Sequence, residues 1–253
     1  MEKSLEGKVA VITGGGQGVG LGIAKEFIAH GASVVITGRN KATLDETVAV
    51  LGPKSAGIVA DVSKLAEMEA MFGKVMTKHG RLDIVVANAA TNANGPLGTI
   101  TEEQWDHTFN TNAKGVLFSV QPALPLMKDG GTFVLIGSTA SIQPPPAMSL
   151  YSGAKAAIRC MVRSWIQDIK GSGVRINMLS PGAIDTPSLR SALESASGAD
   201  KVDAAVKKMG EGNPIGRLGN PHEIGKAAVF LASNESSFIT GVELFADGGM
   251  AQV

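Results

Sequence analysis

The stretch Val9-Ala10-Val11-Ile12-Thr13-Gly14-Gly15-Gly16-Gln17-Gly18-Val19-Gly20 decides the fold. Its first four residues are apolar and mostly β-branched, the pattern of a strand buried on both faces. Five glycines in the seven positions 14–20 follow without a break, and from Leu21 to Ala29 apolar residues recur at helical spacing. A backbone that must turn sharply and approach a phosphate needs residues without Cβ. The helix behind it offers free N–H groups and the positive end of its dipole. Gly14, Gly16, Gln17, Gly18, Val19 and Gly20 are therefore expected to bind a pyrophosphate. The alternative, a glycine-rich turn with no ligand, is weaker because the turn sits between the first strand and a helix.

Outward from this turn, buried-strand runs recur at Val34-Val35-Ile36, Ile58-Val59-Ala60, Ile84-Val85-Val86, Phe133 to Ile136 and Val174 to Met178. Helix-period segments lie between them, such as Leu65 to Met76 and Ala154 to Ile169. Alternation of this kind predicts an α/β fold: a single Rossmann-type, doubly wound parallel β-sheet flanked by helices on both faces. Residues 1–253 carry no linker, charge run or repeat and read as one dinucleotide-binding and catalytic domain. The stretch 188–212, rich in Ser, Ala and Gly, is expected to form either a substrate flap or a plain pair of surface helices.

The 23 basic and 23 acidic side chains balance, so neither nucleic acid nor an anionic membrane is an expected partner. The polar N-terminus and the lack of a bilayer-length apolar run lead to the expectation of a cytoplasmic protein. Cys160, the single cysteine, is expected to be a small buried hydrophobe. His30, His79, His107 and His222 lack ligand spacing, are expected at helix ends or the surface, and leave no metal site in prospect.

After the second strand the chain reads Thr37-Gly38-Arg39-Asn40-Lys41. An acidic residue that would hold ribose hydroxyls and repel a 2′-phosphate is missing there. Arg39 can grip that phosphate with its planar fork and Lys41 adds positive field, which puts NADP(H) ahead of NAD(H), with Gly38 and Asn40 completing the site. Asp61 and Val62, after the third strand, either hold the adenine edge or, for Asp61, cap a helix starting near Ser63.

Tyr151-Ser152-Gly153-Ala154-Lys155 opens a helix, placing phenol and ammonium one turn apart on one face. That face continues through Ile158 and Val162, an apolar stripe on which a lysine is costly unless its charge is used. A cation beside a phenol favours phenolate, so Lys155 is expected to lower the pKa of Tyr151 for proton exchange with a substrate oxygen. Ser138 ends a strand at the edge where open α/β sheets place ligands, although Thr139 and Ser141 compete with it for the role. No Gly-x-Ser-x-Gly elbow or nearby histidine points to a serine hydrolase.

Together these residues resemble the short-chain dehydrogenase/reductase family along essentially the whole chain. Thr13 to Gly20 matches its Thr-Gly-x-x-x-Gly-x-Gly turn, Tyr151 and Lys155 its Tyr-x-x-x-Lys pair, and the family's serine, thirteen residues before the tyrosine, selects Ser138. The resemblance implies that Asn112 holds a water in a proton relay, whereas the residues alone read it as a polar group inside a helix. It also implies that Pro181, Gly182, Ile184 and Thr186 contact nicotinamide, and that Asn88 and Ala89 line its side of the cleft. Here Ala87-Asn88-Ala89-Ala90 departs from the family's Asn-Asn-Ala-Gly, and Gln17 stands where many NADP-dependent members have a basic residue.

By this resemblance Ser138, Tyr151, Lys155 and Asn112 catalyse hydride transfer between NADP(H), with NAD(H) the runner-up, and a ketone or secondary alcohol. The enzyme would be a homotetramer. The expected substrate is a small neutral carbonyl or alcohol, because among the residues expected around it those at 91–94 and 139–148 are all uncharged, although 188–212 carries eight charged side chains. A 3-oxoacyl thioester reductase and an NAD-dependent polyol or sugar dehydrogenase are the alternatives within the family. A non-catalytic nucleotide sensor would not need four intact catalytic residues. An epimerase or dehydratase usually carries a larger C-terminal part, and a methyltransferase gives no reason for Tyr151 and Lys155.

Overall fold

The computed structural model describes residues 3–92 and 95–252. Seven strands, β1 (Val9–Thr13), β2 (Ser33–Gly38), β3 (Ser55–Val59), β4 (Ile84–Ala87), β5 (Gly131–Ile136), β6 (Val174–Pro181) and β7 (Glu243–Ala246), form one sheet in the order β3-β2-β1-β4-β5-β6-β7. Every pairing is parallel. The helices are α1 (Gly18–Ala29), α2 (Lys41–Leu51), α3 (Leu65–His79), α4 (Glu102–Phe109), α5 (Gly115–Val120), α6 (Ser149–Asp168), α7 (Pro187–Ser197), α8 (Val202–Glu211) and α9 (Pro221–Ala232). Between α4 and α5 the helix widens into a π-turn at Asn110–Lys114.

Alternation along each strand feeds two cores. Val9 and Val11 of β1, with Val85, Phe133, Leu135 and Ile176, pack with Met68, Phe72 and Val75 of α3 and Ile158 and Val162 of α6. Ala10 and Ile12, with Ile36, Val86, Val134 and Leu179, pack on the other face with Ile23 and Phe27 of α1 and Ile224 and Leu231 of α9. A strand with helices on both faces has no solvent side, which is why these runs are apolar throughout. The edge strands are the exceptions: β7 is only partly buried along its length, and β3 is half-exposed. It starts at Ser55, earlier than its apolar residues predict, and stops before Ala60.

The stretch 188–212 forms surface helices: α7, a 3-10 turn at Ala199–Lys201, and α8. Arg190 of α7 ties them down, gripping Asp185 through two bonds of 2.7 and 2.9 Å and Asp203 through a third of 2.9 Å. Cys160 is exposed, not buried. It lies two residues from buried Ile158 and Val162, about 200° around the helix from each. The four histidines stand at helix ends: His30 after α1, His79 and His107 in the last turns of α3 and α4, and His222 in the first turn of α9, paired with buried Glu26. Among the described residues no His/Cys/Asp/Glu cluster could hold a metal ion. No helix of the described residues is long and apolar enough to cross a membrane.

Candidate active site

The strand order reverses between β1 and β4, where loops diverge to opposite faces and leave a crevice at the strands' carboxyl ends. A cleft of about 640 Å³ opens there. One end is the turn from β1 into α1. Gly14 adopts φ +64°, a left-handed conformation, and a Cβ on it would stand 2.9 Å from the Ala89 Cα. A Cβ on Gly20 would stand 2.4 Å from the Gly14 carbonyl oxygen. Gln17, the residue before α1, makes no side-chain capping bond, and the first turn of α1 carries no acidic residue. The helix's leading N–H groups are thus left to an anion.

This turn is braced from β4. The Thr13 hydroxyl accepts from the N–H groups of Asn88 (3.0 Å) and Ala89 (3.1 Å), and the Asn88 amide donates to the carbonyls of Thr13 (2.9 Å) and Gly14 (3.0 Å). Sequence reasoning placed Asn88 beside the cofactor but missed this bracing. Thr13 at the strand end and the altered Asn88-Ala89-Ala90 run were the available signals.

At the end of β2, Gly38, Arg39 and Asn40 line the cleft. The exposed Arg39 guanidinium makes no hydrogen bond or ion pair among the described residues and acts on Asp61 only through its field, which leaves its donors open to an anion. Lys41 is not free: it pairs with Asp45 at 2.5 Å, which reduces the positive field expected from it. The Asn40 carboxamide caps α2 by accepting from the Thr43 N–H. Buried Thr37 has a hydroxyl with no partner in this lining, a polar atom suited to a polar ligand.

Asp61 and Val62 also line the cleft. The Asp61 carboxylate accepts from the N–H (2.9 Å) and hydroxyl (2.8 Å) of Ser63. Burial acts to raise its pKa, but these bonds and the charges of Arg39 and Lys64 hold it below the usual carboxylate range. It makes a local turn ahead of α3, which starts at Leu65 and not near Ser63.

At the other end Ser138, Tyr151 and Lys155 line the cleft with Pro181, Gly182, Ile184 and Thr186. Ser138 leaves β5 in an extended conformation and caps the 3-10 turn Thr139–Ser141, its hydroxyl accepting from the Ala140 N–H at 3.2 Å. The Tyr151 phenol stands near enough to Ser138 for the serine to act on it, lowering its pKa. Lys155, 1% exposed, donates to the Ile136 carbonyl at 2.7 Å, and its ammonium stands 5.6 Å from the Tyr151 ring centre. Burial depresses the lysine pKa to about 8. Burial also raises that of Tyr151. The expected lowering of the phenol's pKa by Lys155 is not found in the protein alone: withdrawal from water raises it, and the opposing influence is that of Ser138.

Asn112 does not line the cleft, although its neighbour Thr111 does. Its fully buried carboxamide accepts from the Thr91 N–H and donates to the Thr91 carbonyl, both at 2.8 Å. It lies in the π-turn, not in the regular helix read from the residues alone. Thr186 caps α7, its hydroxyl accepting from the Leu189 N–H. The lining also includes Ala90 of the departing run, Ser188 as its one residue from the stretch 188–212, and Thr43 and Leu44, which no sequence pattern singled out. In the expected substrate wall 91–94, residues 93 and 94 lie outside the described residues.

Comparison with known proteins places these features in context. Residues 14–251 match the family described as Enoyl-(Acyl carrier protein) reductase. An oxidoreductase of Sarocladium schorii is 44% identical over 251 residues, covering 98% of each chain. The 3-oxoacyl-[acyl-carrier-protein] reductase FabG of Chlamydia muridarum is 35% identical, covering 99% of this chain and all of its own. Among solved structures, the ligand-free aldohexose dehydrogenase of Thermoplasma acidophilum superposes with a TM-score of 0.93 at 27% identity, covering 100% of this chain and 97% of its own.

Proposed function

The chain belongs to the short-chain dehydrogenase/reductase family, oxidoreductases that use a nicotinamide cofactor on hydroxyl and keto groups, and we propose that it is an NADP(H)-dependent enzyme interconverting a small neutral ketone and its secondary alcohol. The observation that carries this reading is the convergence of Ser138, Tyr151 and Lys155 at one end of the cleft whose other end is the glycine turn. The residues fit a dinucleotide. The glycines let the turn close where Cβ atoms would collide with Ala89, Ile36 and the Gly14 carbonyl, the N-terminus of α1 is uncapped, and the Arg39 guanidinium makes no hydrogen bond or ion pair that would compete with a 2′-phosphate.

When bound, the dinucleotide supplies or takes the hydride at the carbon bearing oxygen. The chain's own residues manage that oxygen and its proton. Ser138 and Tyr151 donate hydrogen bonds to the carbonyl oxygen, favouring the negative charge it gains. Burial keeps the phenol protonated, the form needed to give up its proton in reduction. The phenolate left behind faces the Lys155 ammonium. Oxidation needs the opposite start, a phenolate, and is favoured by alkaline pH. Asn112 serves through Thr91, since both ends of its carboxamide are engaged there.

The uncharged run 139–148, which follows Ser138 but does not itself line the cleft, favours a neutral substrate. An acyl-carrier thioester is the second reading, supported by the names of the matching family and of the Chlamydia relative. We expect a homotetramer in the cytoplasm.

Initial rates with NADPH and NADH against aliphatic, aryl and keto-ester ketones and an acyl-carrier thioester test both readings. NADPH should be preferred by about tenfold or more, the size of one charged hydrogen-bonding contact, and Arg39→Ala should remove most of that preference. Equal use of NADH, or a preference untouched in Arg39→Ala, would contradict the cofactor assignment. Faster turnover of the thioester than of any free ketone would replace the first reading by the second.

A further inference from the structure

Behind the wall that carries Ser138 lies a carboxylate with no part in the chemistry above. Glu243, on the sheet-edge strand β7, pairs in register with Met178 of β6, and Ser180 lies two residues further along β6 on the same face. The Glu243 side chain is only 10% exposed. Its Oε1 accepts from the hydroxyls of Ser180 (2.7 Å) and Ser141 (3.1 Å), and its Oε2 lies 2.8 Å from the Arg159 Nε. Oε1 is hydrogen-bonded, whereas Oε2 and the Arg159 Nε are held by charge at close range without hydrogen-bond alignment, and this pairing offsets the burial of the carboxylate.

Each of the three partners leads into the cleft. Arg159 follows Lys155 by one turn of α6, so the ion pair fastens the helix that presents Tyr151 and Lys155. Ser141 closes the 3-10 turn that Ser138 caps. Ser180 directly precedes Pro181 and Gly182 of the cleft lining. Its hydroxyl also fills the space beside Gly137, where a Cβ would stand 2.2 Å from it. Both flanks of Ser138 are thus held from one carboxylate: Gly137 through Ser180, and the 3-10 turn through Ser141.

We infer that Glu243, anchored by Arg159, is a positioning residue that sets the Ser138 hydroxyl against the Tyr151 phenol. The inference rests on the oxidoreductase reading, because the placing of those two groups side by side in the cleft is what the network serves. Displacing a reacting group by as little as an ångström costs about a hundredfold in rate, so the carboxylate acts on turnover while touching neither substrate nor cofactor.

The test uses the full chain with Glu243→Ala, Glu243→Gln and the double variant Ser141→Ala/Ser180→Ala, reading ketone reduction, dinucleotide affinity by calorimetry, and the pH profile of alcohol oxidation. Glu243→Ala should lower kcat by about 30-fold while the dinucleotide Kd stays within about threefold. Glu243→Gln, whose amide oxygen still accepts from the serines, should recover most of the rate. Oxidation requires the phenolate, and Ser138 favours it. The rising limb of the oxidation profile should therefore move to higher pH in Glu243→Ala and in the serine double variant. Arg39, Asp61 and Lys155, the other ionisable side chains lining the cleft, are not bonded to Glu243 and remain in place. A folded Glu243→Ala with unchanged kcat and unchanged limb would overturn the inference. If that variant does not fold, a serine double variant with wild-type rate and profile would overturn it. Wild-type turnover unaffected by the variants defeats the inference alone, whereas a wild type inert toward every ketone and alcohol defeats the oxidoreductase reading and this inference with it.

Discussion

Lys155 buries an ammonium group almost completely, with burial alone depressing its pKa. Its depressed pKa, about 8 against an ordinary 10.5, corresponds to about 3 kcal/mol withheld from folding while the amine is charged. The sign follows from proton binding. Between about pH 8 and 10.5 the unfolded chain holds this proton more firmly than the folded one, so the penalty is complete below pH 8 and fades as pH rises through that window. Lys155→Met removes the penalty but strands the Ile136 carbonyl, a loss of about 1–3 kcal/mol. Denaturant unfolding of the dinucleotide-free proteins should find the Met variant at least as stable as wild type at pH 7, and the difference between them should shift toward wild type as pH approaches 10. A variant clearly less stable at pH 7, with a difference that ignores pH, would mean that the burial of Lys155 carries no such cost. A lysine kept at that cost beside the only tyrosine is what a site retained for chemistry would look like.

The elements around Lys155 differ in how openly the sequence displays them. Strands β1, β4 and β5 are buried on both faces and read as unbroken apolar runs, whereas edge strand β3 keeps polar and small residues and its start at Ser55 could not be seen. Tyr151 and Lys155 were legible because four residues make one helical turn. The same periodicity would have shown Cys160 to lie off the buried stripe of α6. Ser138 stood out from Thr139 and Ser141 only through the family's spacing to the tyrosine. Contacts between distant residues left no local trace: Ser141 and Glu243 are 102 apart, and the π-turn that buries Asn112 rests on its bonds to Thr91. That π-turn carries a prediction. Asn112→Ala frees two backbone groups of Thr91 and should loosen the segment after β4, accelerating amide exchange at Thr91 and lowering kcat by about 10- to 100-fold. Exchange and turnover equal to wild type would show that the turn does not depend on this side chain.

For the whole molecule, the winding of the sheet matters more than any single contact. With β2 and β3 on one side of β1, and β4 to β7 on the other, the loops part at the β1/β4 boundary. One cleft then collects the glycine turn, Arg39 and the Tyr151–Lys155 helix from positions more than a hundred residues apart. This division separates holding the dinucleotide from handling the proton, and Tyr151→Phe probes the division most directly. Replacing the phenol by a phenyl ring keeps the ring's packing and removes the hydroxyl that carries the exchangeable proton. The measurement is NADPH affinity and single-turnover ketone reduction by Tyr151→Phe beside wild type. Affinity should remain within about threefold, while the rate should fall by about a thousandfold, within the range ascribed to a positioned general acid. A variant that binds NADPH equally well and reduces ketone at a rate close to wild type would contradict the assignment of Tyr151 as the proton donor.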